Sequence, residues 1–184
     1  MPSAGGLGEA FEPVLAAARA GEAWAFGRLF EWLGRPVAGY LRGAGVEDPD
    51  GSANEVFLRV FGAVERFEGT EGRFRSWVFS IAHNLVIDER RKRARRLRSA
   101  PLEDAAEPTV GGADEAVLVA LGDERVRTLL ARLVPDQRDV VLLRIVADLS
   151  IEDTAAALGK SPGAVKALQH RAMATLRRTG AVSP

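Results

Sequence analysis

Apolar positions recur with a helical period along most of the chain. In "NEVFLRVFGAVERF" Val56, Phe57, Val60, Phe61, Val64 and Phe67 form one stripe, the spacing of a helix with one face packed. Further on, Phe74, Trp77, Val78, Ile81, Leu85 and Asp88 fall on a single face at about 100° per residue. Upstream, "AWAFGRLFEWLGRPVAGYLRG" predicts one or two helices broken near Gly34–Pro36. No stretch alternates in the manner of a strand between turn signals. The pattern stops at "SAPLEDAAEPTVGGADEA", where two prolines, paired glycines, five acids and little apolar content leave no core of its own. About twenty such residues span on the order of 25 Å as a flexible chain. From Val117 the helical pattern resumes, with breaks at "LVPDQRD" and "LGKSPG". The expected fold is all-α: a helical domain over 1–98, a flexible acidic linker over 99–118, and a second helical domain over 119–184.

The last section has the layout of a helix-turn-helix. Ser150 can cap a helix from Ile151 to Leu158, Gly159 suits the left-handed position that ends it, and Ser161 with Pro162 can open the next. In that second helix Val165, Leu168, Ala172 and Leu176 line one face. Gly163, Lys166, Ala167, His170, Ala174 and Arg177 line the other, with Arg171 and Arg178 at its edge. Small residues followed by basic ones let a helix approach base edges and supply donors to bases and phosphates. A plain αα-hairpin with a solvated basic face fits the periodicity as well; the turn chemistry and the surplus of base favour DNA.

Composition is that of a soluble globular protein, 47% apolar and 27% charged. The chain has no cysteine, which excludes disulfides, thiolate metal sites and cysteine nucleophiles. No run of eighteen apolar residues occurs and the N-terminus lacks the features of a signal peptide, so the expected location is cytoplasmic, without membrane association. The net charge of zero conceals blocks: 15 basic and 13 acidic residues in 1–100, none and 7 in 101–124, 10 and 5 in 125–184. Between Arg73 and Arg98 there are nine bases and two acids. A packed helix that ends in such a cluster holds charge at a fixed place, and each neutralised phosphate adds affinity through counterion release. Phe74, Trp77 and Phe79 beside the loop "EGTEG" suit single-stranded DNA, although Phe74 and Trp77 are expected to be largely core. Asn84, off the apolar stripe, offers donor and acceptor to a base edge. The two histidines, His83 and His170, lie in different sections, and no phosphate loop or nucleophile motif occurs. No enzyme activity, cofactor or metal is expected.

"FRSWVFSIAHNLVIDERRKRARR" resembles region 2 of bacterial sigma factors of the extracytoplasmic-function group. "LLARLVPDQRDVVLLRIVADLSIEDTAAALGKSPGAVKALQHRAMATLRR" resembles their region 4, and "NEVFLRVF" the helix that docks on the clamp helices of RNA polymerase. The resemblance runs from about Ala25 to Arg98 and from about Leu129 to Arg178, in the family's order and spacing. It implies a transcription initiation factor whose partners are core RNA polymerase (clamp helices and flap), promoter DNA and an anti-sigma factor. Region 2 would melt and read the minus-ten element through Thr70, Arg73, Phe74, Trp77 and Asn84, with Glu68 to Gly72 receiving an extruded base. Arg90, Arg91 and Arg93 would hold phosphates of the upstream duplex. Region 4 would read the minus-thirty-five element with Ser161, Gly163, Lys166, Ala167, His170 and Arg171. The acidic linker would run toward the RNA exit path. Glu47, Asp48, Asp50, Asn54 and Glu55 would face the polymerase. Here the chain departs from the family: "DPDGSANEVF" has Gly51 and Ser52 before the docking helix and Asn54 where Gln is usual, which implies a later helix start or weaker docking. The length leaves no room for the extra domains of housekeeping sigma factors, and none is expected after region 4. A stand-alone helix-turn-helix regulator is the alternative, against which the whole first domain speaks.

Overall fold

The structure, a computed structural model, describes residues 6–99 and 124–178. The expected linker, all but Ser99, therefore lies outside the described residues. Among those described, every regular element is helical: α1 (Phe11–Arg19), α2 (Ala23–Gly43), α3 (Pro49–Ala63), α4 (Glu71–Ser99), α5 (Glu124–Ala131), α6 (Pro135–Ile145), α7 (Ile151–Leu158) and α8 (Pro162–Arg178), with short 3-10 turns at Gly8–Ala10 and Val64–Arg66.

Two helix boundaries differ from expectation. α2 does not break at Gly34–Pro36 but runs through Pro36 as one helix of 21 residues. An internal proline removes a backbone bond and costs about 3 kcal/mol. Burial of Leu29, Leu33, Val37, Tyr40 and Leu41 on both sides of it offsets that cost. α3 starts earlier than Gly51 and Ser52 suggest. Pro49 occupies its first turn and Asp48 caps it, accepting from the Gly51 amide at 2.9 Å. A short acidic cap followed by proline outweighs one glycine, since a cap contributes about 1 kcal/mol.

α4 carries the first core. Phe74, Val78, Phe79, Ala82, Leu85 and Val86 are buried, so the packed stripe turns toward Phe79 and Val86, and Asp88 is exposed. Phe74 is the hub of the aromatic packing. Its ring lies 5.7 Å from Phe11, 6.1 Å from Trp32, 5.1 Å from Phe67 and 5.6 Å from Trp77. It thus ties α1, α2 and the loop before α4 to one point.

The sequence left the mutual placement of the two halves open; in the structure they share a continuous core. α7 lies along α4 and α6 meets the end of α2. Gly43 permits that second approach, because a Cβ there would sit 2.6 Å from a methyl of Leu142. The polar contacts follow one row of α4. Ser76, His83 and Arg90 are spaced by seven residues, about two turns, and so point the same way. The Ser76 hydroxyl donates to the Asp153 carbonyl at 3.0 Å. Arg90 grips the Asp139 carboxylate with two bonds of 2.7 and 2.8 Å. His83 lies 3.8 Å from the same carboxylate and 2.9 Å from the Tyr40 hydroxyl. Beside this row, Arg75 reaches the Ala147 carbonyl at 3.4 Å.

The protonation states follow from burial. Desolvation, and then the charge of Asp139, push the Tyr40 phenol well above its ordinary value, so it keeps its proton beside the His83 imidazole, whose Nδ1 lies 2.9 Å away. Burial lowers the pKa of His83, and Arg90 and Lys160 push the same way against Asp139 and Asp136. Burial alone would lower Arg90, but the bonds and charge of Asp139 outweigh it and raise its pKa.

Two outcomes are expected. Phe74→Ala destabilises the protein by about 3–5 kcal/mol in chemical denaturation, the range for emptying a buried aromatic site, whereas Phe74→Leu loses much less. A histidine whose folded pKa lies below its unfolded value of 6.5 contributes no penalty above that value. As pH falls through 6.5 the unfolded chain takes up the proton first and stability is lost. The melting temperature therefore falls between pH 7.5 and 5.5, above the carboxylate range, and His83→Gln flattens that slope.

Candidate nucleic-acid interface

Next to the row that faces the second half, α4 presents another. Trp77, Asn84 and Arg91 are spaced by seven residues, and Arg73 precedes Trp77 by one turn. Arg73, Asn84 and Arg91 are exposed and Trp77 is half-buried. Trp77 stacks on Phe67 with centroids 5.0 Å apart, which fixes its ring at the edge of the loop before α4. That loop ends in Thr70, exposed, whose hydroxyl accepts from the Arg73 amide at 3.4 Å and whose carbonyl accepts from Phe74. Glu71 ties the N-terminal segment to the same place by accepting from the Leu7 and Gly8 amides.

Two residues expected to touch DNA are placed otherwise. Phe74 has no exposed surface and offers no ring face to a base; it supports Phe67 and Trp77 from beneath. Arg90 points about 100° away from Arg91 around the helix and is engaged by Asp139. Arg93 is exposed and, with Arg90, Arg96 and Arg138, lines a cleft of about 220 Å³. The ion pairs Arg91–Asp88 and Lys92–Glu89 are exposed, so they constrain these bases little.

The helix-turn-helix forms from the expected caps. Ser150 accepts from the Asp153 amide at 2.9 Å, Gly159 takes the left-handed conformation at φ 61°, and Ser161 accepts from the Ala164 amide at 3.2 Å. Val165 and Ala172 are fully buried, while Gly163, Lys166, Ala167, His170 and Arg171 are exposed on the opposite side of α8. The Ser161 hydroxyl is committed to its cap.

Glu47, Asp48, Asp50, Asn54 and Glu55 are all exposed around the start of α3. Three have local duties. Asp48 caps the helix, Asp50 lies 3.5 Å from the buried Arg42, and Glu55 pairs with Arg59. One turn beyond Asn54, Leu58 is 71% exposed, and Trp24 and Phe30 are exposed on α2. Sequence reasoning passed over Leu58, although a leucine off the apolar stripe of its helix was the available signal. It also passed over Asp139, one acid on an amphipathic helix, for which no local signal exists.

Between the two halves lies a cleft of about 520 Å³. Phe67, Arg73 and Trp77 line one wall and Glu152, Asp153 and Ala156 of α7 the other. Among the described residues, no group of His, Asp and Glu is arranged to hold a metal. No described helix is long and apolar enough to cross a membrane.

Residues 30–96 match the family Sigma-70 region 2, and residues 123–176 match Sigma-70, region 4. The ECF RNA polymerase sigma factor BldN of Streptomyces coelicolor is 35% identical over 165 residues, covering 88% of this chain and 62% of that protein. The ECF RNA polymerase sigma factor SigD of Mycobacterium tuberculosis is 34% identical over 184 residues, covering 96% and 86%. The chain thus spans less than two thirds of BldN but most of SigD. Among solved structures, CnrH in complex with the cytosolic domain of CnrY superposes with a TM-score of 0.69 at 26% identity, covering 93% of this chain and 97% of that one. RpoE of Bartonella quintana, solved with the anti-sigma factor NepR, shares the fold with a TM-score of 0.61 at 22% identity. With both halves matched in order, and SigD matched at 34% identity over 86% of its length, the chain belongs to the ECF sigma factors of RNA polymerase.

Proposed function

We propose that this protein binds core RNA polymerase and directs it to promoters in the cytoplasm, acting as a specificity subunit without an enzyme activity of its own. The observation that carries the reading is the fixed row Arg73, Trp77, Asn84 and Arg91 beside a stacked aromatic pair. It combines ring faces, an amide and guanidinium groups along one rigid helix. Aromatic stacking recovers about 1–3 kcal/mol per base, comparable to the few kcal/mol that extruding a base costs. Arg91 and Arg93 then hold phosphates of the adjoining duplex, and Arg90 joins them once released from Asp139. Lys166, Ala167, His170 and Arg171 of α8 read the minus-thirty-five element, with the N-terminal turn at Ser161 and Gly163 close to the backbone. The domain over 1–98 supplies the first activity and that over 119–184 the second, with the acidic linker between them. Two modest contacts on one polymerase gain from effective concentration.

The acidic start of α3, from Glu47 to Glu55, is the proposed polymerase-facing surface, and exposed Leu58 adds an apolar anchor one turn beyond Asn54. The related structures with CnrY and NepR support an anti-sigma partner for this chain as well.

The decisive experiment is in vitro transcription with bacterial core polymerase on a pool of upstream genomic fragments. Discrete start sites that need the protein and share two spaced elements are expected. Duplex binding without polymerase-dependent initiation would return the chain to the stand-alone regulator. In the holoenzyme, Arg91→Ala lowers the salt dependence of promoter binding by about 0.9 in the log–log slope, equally for all sequences. Arg171→Ala weakens binding by about 1–3 kcal/mol and relaxes preference at its base pair.

A further inference from the structure

Glu71, the second acid of "EGTEG", stands between Thr70 and Arg73, where a free carboxylate would repel the phosphates of an incoming strand. Both of its oxygens are occupied. Oε1 accepts from the Leu7 amide at 2.8 Å and Oε2 from the Gly8 amide at 3.0 Å. These amides open the 3-10 turn Gly8–Ala10 that leads into α1, and the first N–H groups of a helical run have no carbonyl of their own. Glu71 therefore caps the N-terminal segment from 64 and 63 residues along the chain. The approach depends on glycine at position 6, because a Cβ on Gly6 would sit 2.5 Å from Oε1 of Glu71. Gly8 in turn takes a φ of 55°, a conformation that favours glycine.

We infer that the N-terminal segment, residues 6–19, braces the loop 67–70 from both ends, and that Glu71 and Arg19 are positioning residues for base capture there. The inference rests on the promoter-binding reading above. At the far end of α1, the Arg19 guanidinium donates to the Phe67 carbonyl. The loop is thus held at its first residue by Arg19 and just past its last by Glu71, both times by the same segment. Between these points the Phe67 ring stacks on Trp77 and meets Phe74 edge-on, while Phe11 of α1 meets Phe74 as well. Gly69, at φ 148°, has no room for a side chain: a Cβ would meet Arg73 at 3.1 Å and the Phe67 ring at 3.3 Å. The middle of the loop stays open, with Glu68 and Thr70 exposed. A loop fixed at both ends and open between them receives a base without first losing freedom of its own, which is the advantage of preorganisation.

Burial of Phe11 explains why α1 packs on the bundle, but not why the bonds of Leu7, Gly8 and Arg19 converge on this one loop. Glu71 and Arg19 act through Phe67 and Thr70, not on the base itself. Thr70 starts α4, with its hydroxyl accepting from the Arg73 amide and its carbonyl from Phe74, so a shift of Glu71 moves the group that faces the base. The brace therefore sets selectivity at the one base position that the loop receives. The hold of Arg91 and Arg93 on duplex phosphates, and the reading by α8, do not depend on it.

The test uses the full chain, free and bound to core polymerase. Amide hydrogen exchange of residues 67–73 in the free chain reads the brace directly. Glu71→Ala, and independently Arg19→Ala, should speed it roughly tenfold, the effect of losing one bond to a charged group, with exchange in α2 and α3 unchanged. Gly6→Ala should match Glu71→Ala, and Arg19→Lys, which still donates to the Phe67 carbonyl, should stay close to the wild type. Base capture is read with the holoenzyme, by selection of single-stranded oligonucleotides randomised across the minus-ten element. Both alanine variants should lose roughly tenfold of preference at one position and keep the others, with duplex binding and its salt slope unchanged. Unchanged exchange in both variants overturns the brace. Faster exchange with every base preference kept overturns the positioning role, and so does an equal loss at all positions, which is what mere destabilisation gives. If one variant does not fold, the other decides. A wild-type holoenzyme that selects no base at any position removes the minus-ten reading, and base capture with it, whatever the exchange shows. Selection by the wild type that survives in both variants removes only the positioning role.

Discussion

A helix offers a small number of longitudinal rows, and α4 assigns each of its rows to a different neighbour. Phe74, Val78, Ala82 and Leu85 are buried in the first bundle; Ser76, His83 and Arg90 meet the C-terminal half; Trp77, Asn84 and Arg91 face outward. The rest of the architecture follows from that division. Because the buried row is anchored by the Phe74 cluster, the other two rows keep fixed directions. Rigid packing beside fixed charge, puzzling in a chain of zero net charge, is what lets one helix serve as core, as contact with the second half and as an outward basic face.

Much of this was legible in the amino-acid sequence where the determinants are local. Ser150, Gly159 and Ser161 each act within three or four residues of themselves, and the helix-turn-helix formed as their chemistry dictates. The exposed basic face of α8 likewise follows from period alone. The misreadings fall where a local preference competes with burial or with a neighbour. Pro36 argues for a break, yet the apolar residues on both sides hold α2 together. Gly51 and Ser52 argue for a late start, yet Asp48 and Pro49 supply a cap and a first turn. Phe74 was open to two readings, core or base-stacking ring, and its burial matches the first, since an aromatic in a basic neighbourhood looks the same in sequence whether it points in or out.

The contact between the halves was not legible at all. Arg90 reads as one more member of a basic run, and Asp139 as a polar position on an amphipathic helix 49 residues away. Neither spacing nor composition joins them. Gly43 is similar: its role becomes visible only when Leu142 is found against it. Features that depend on a surface of one domain meeting a surface of another leave no periodic trace, since each surface satisfies its own helix independently.

The two-pronged grip of Arg90 on Asp139 has a consequence for how this chain can change over generations. Asn84, exposed and one position along from His83, can change without disturbing the neighbouring row. Arg90 has no such liberty. A lysine there would keep the charge and lose the planar fork, so a swap usually counted as mild would surrender the paired geometry toward the Asp139 carboxylate. Freedom to change and preservation of the contact between the halves are thereby assigned to adjacent but separate lines of residues.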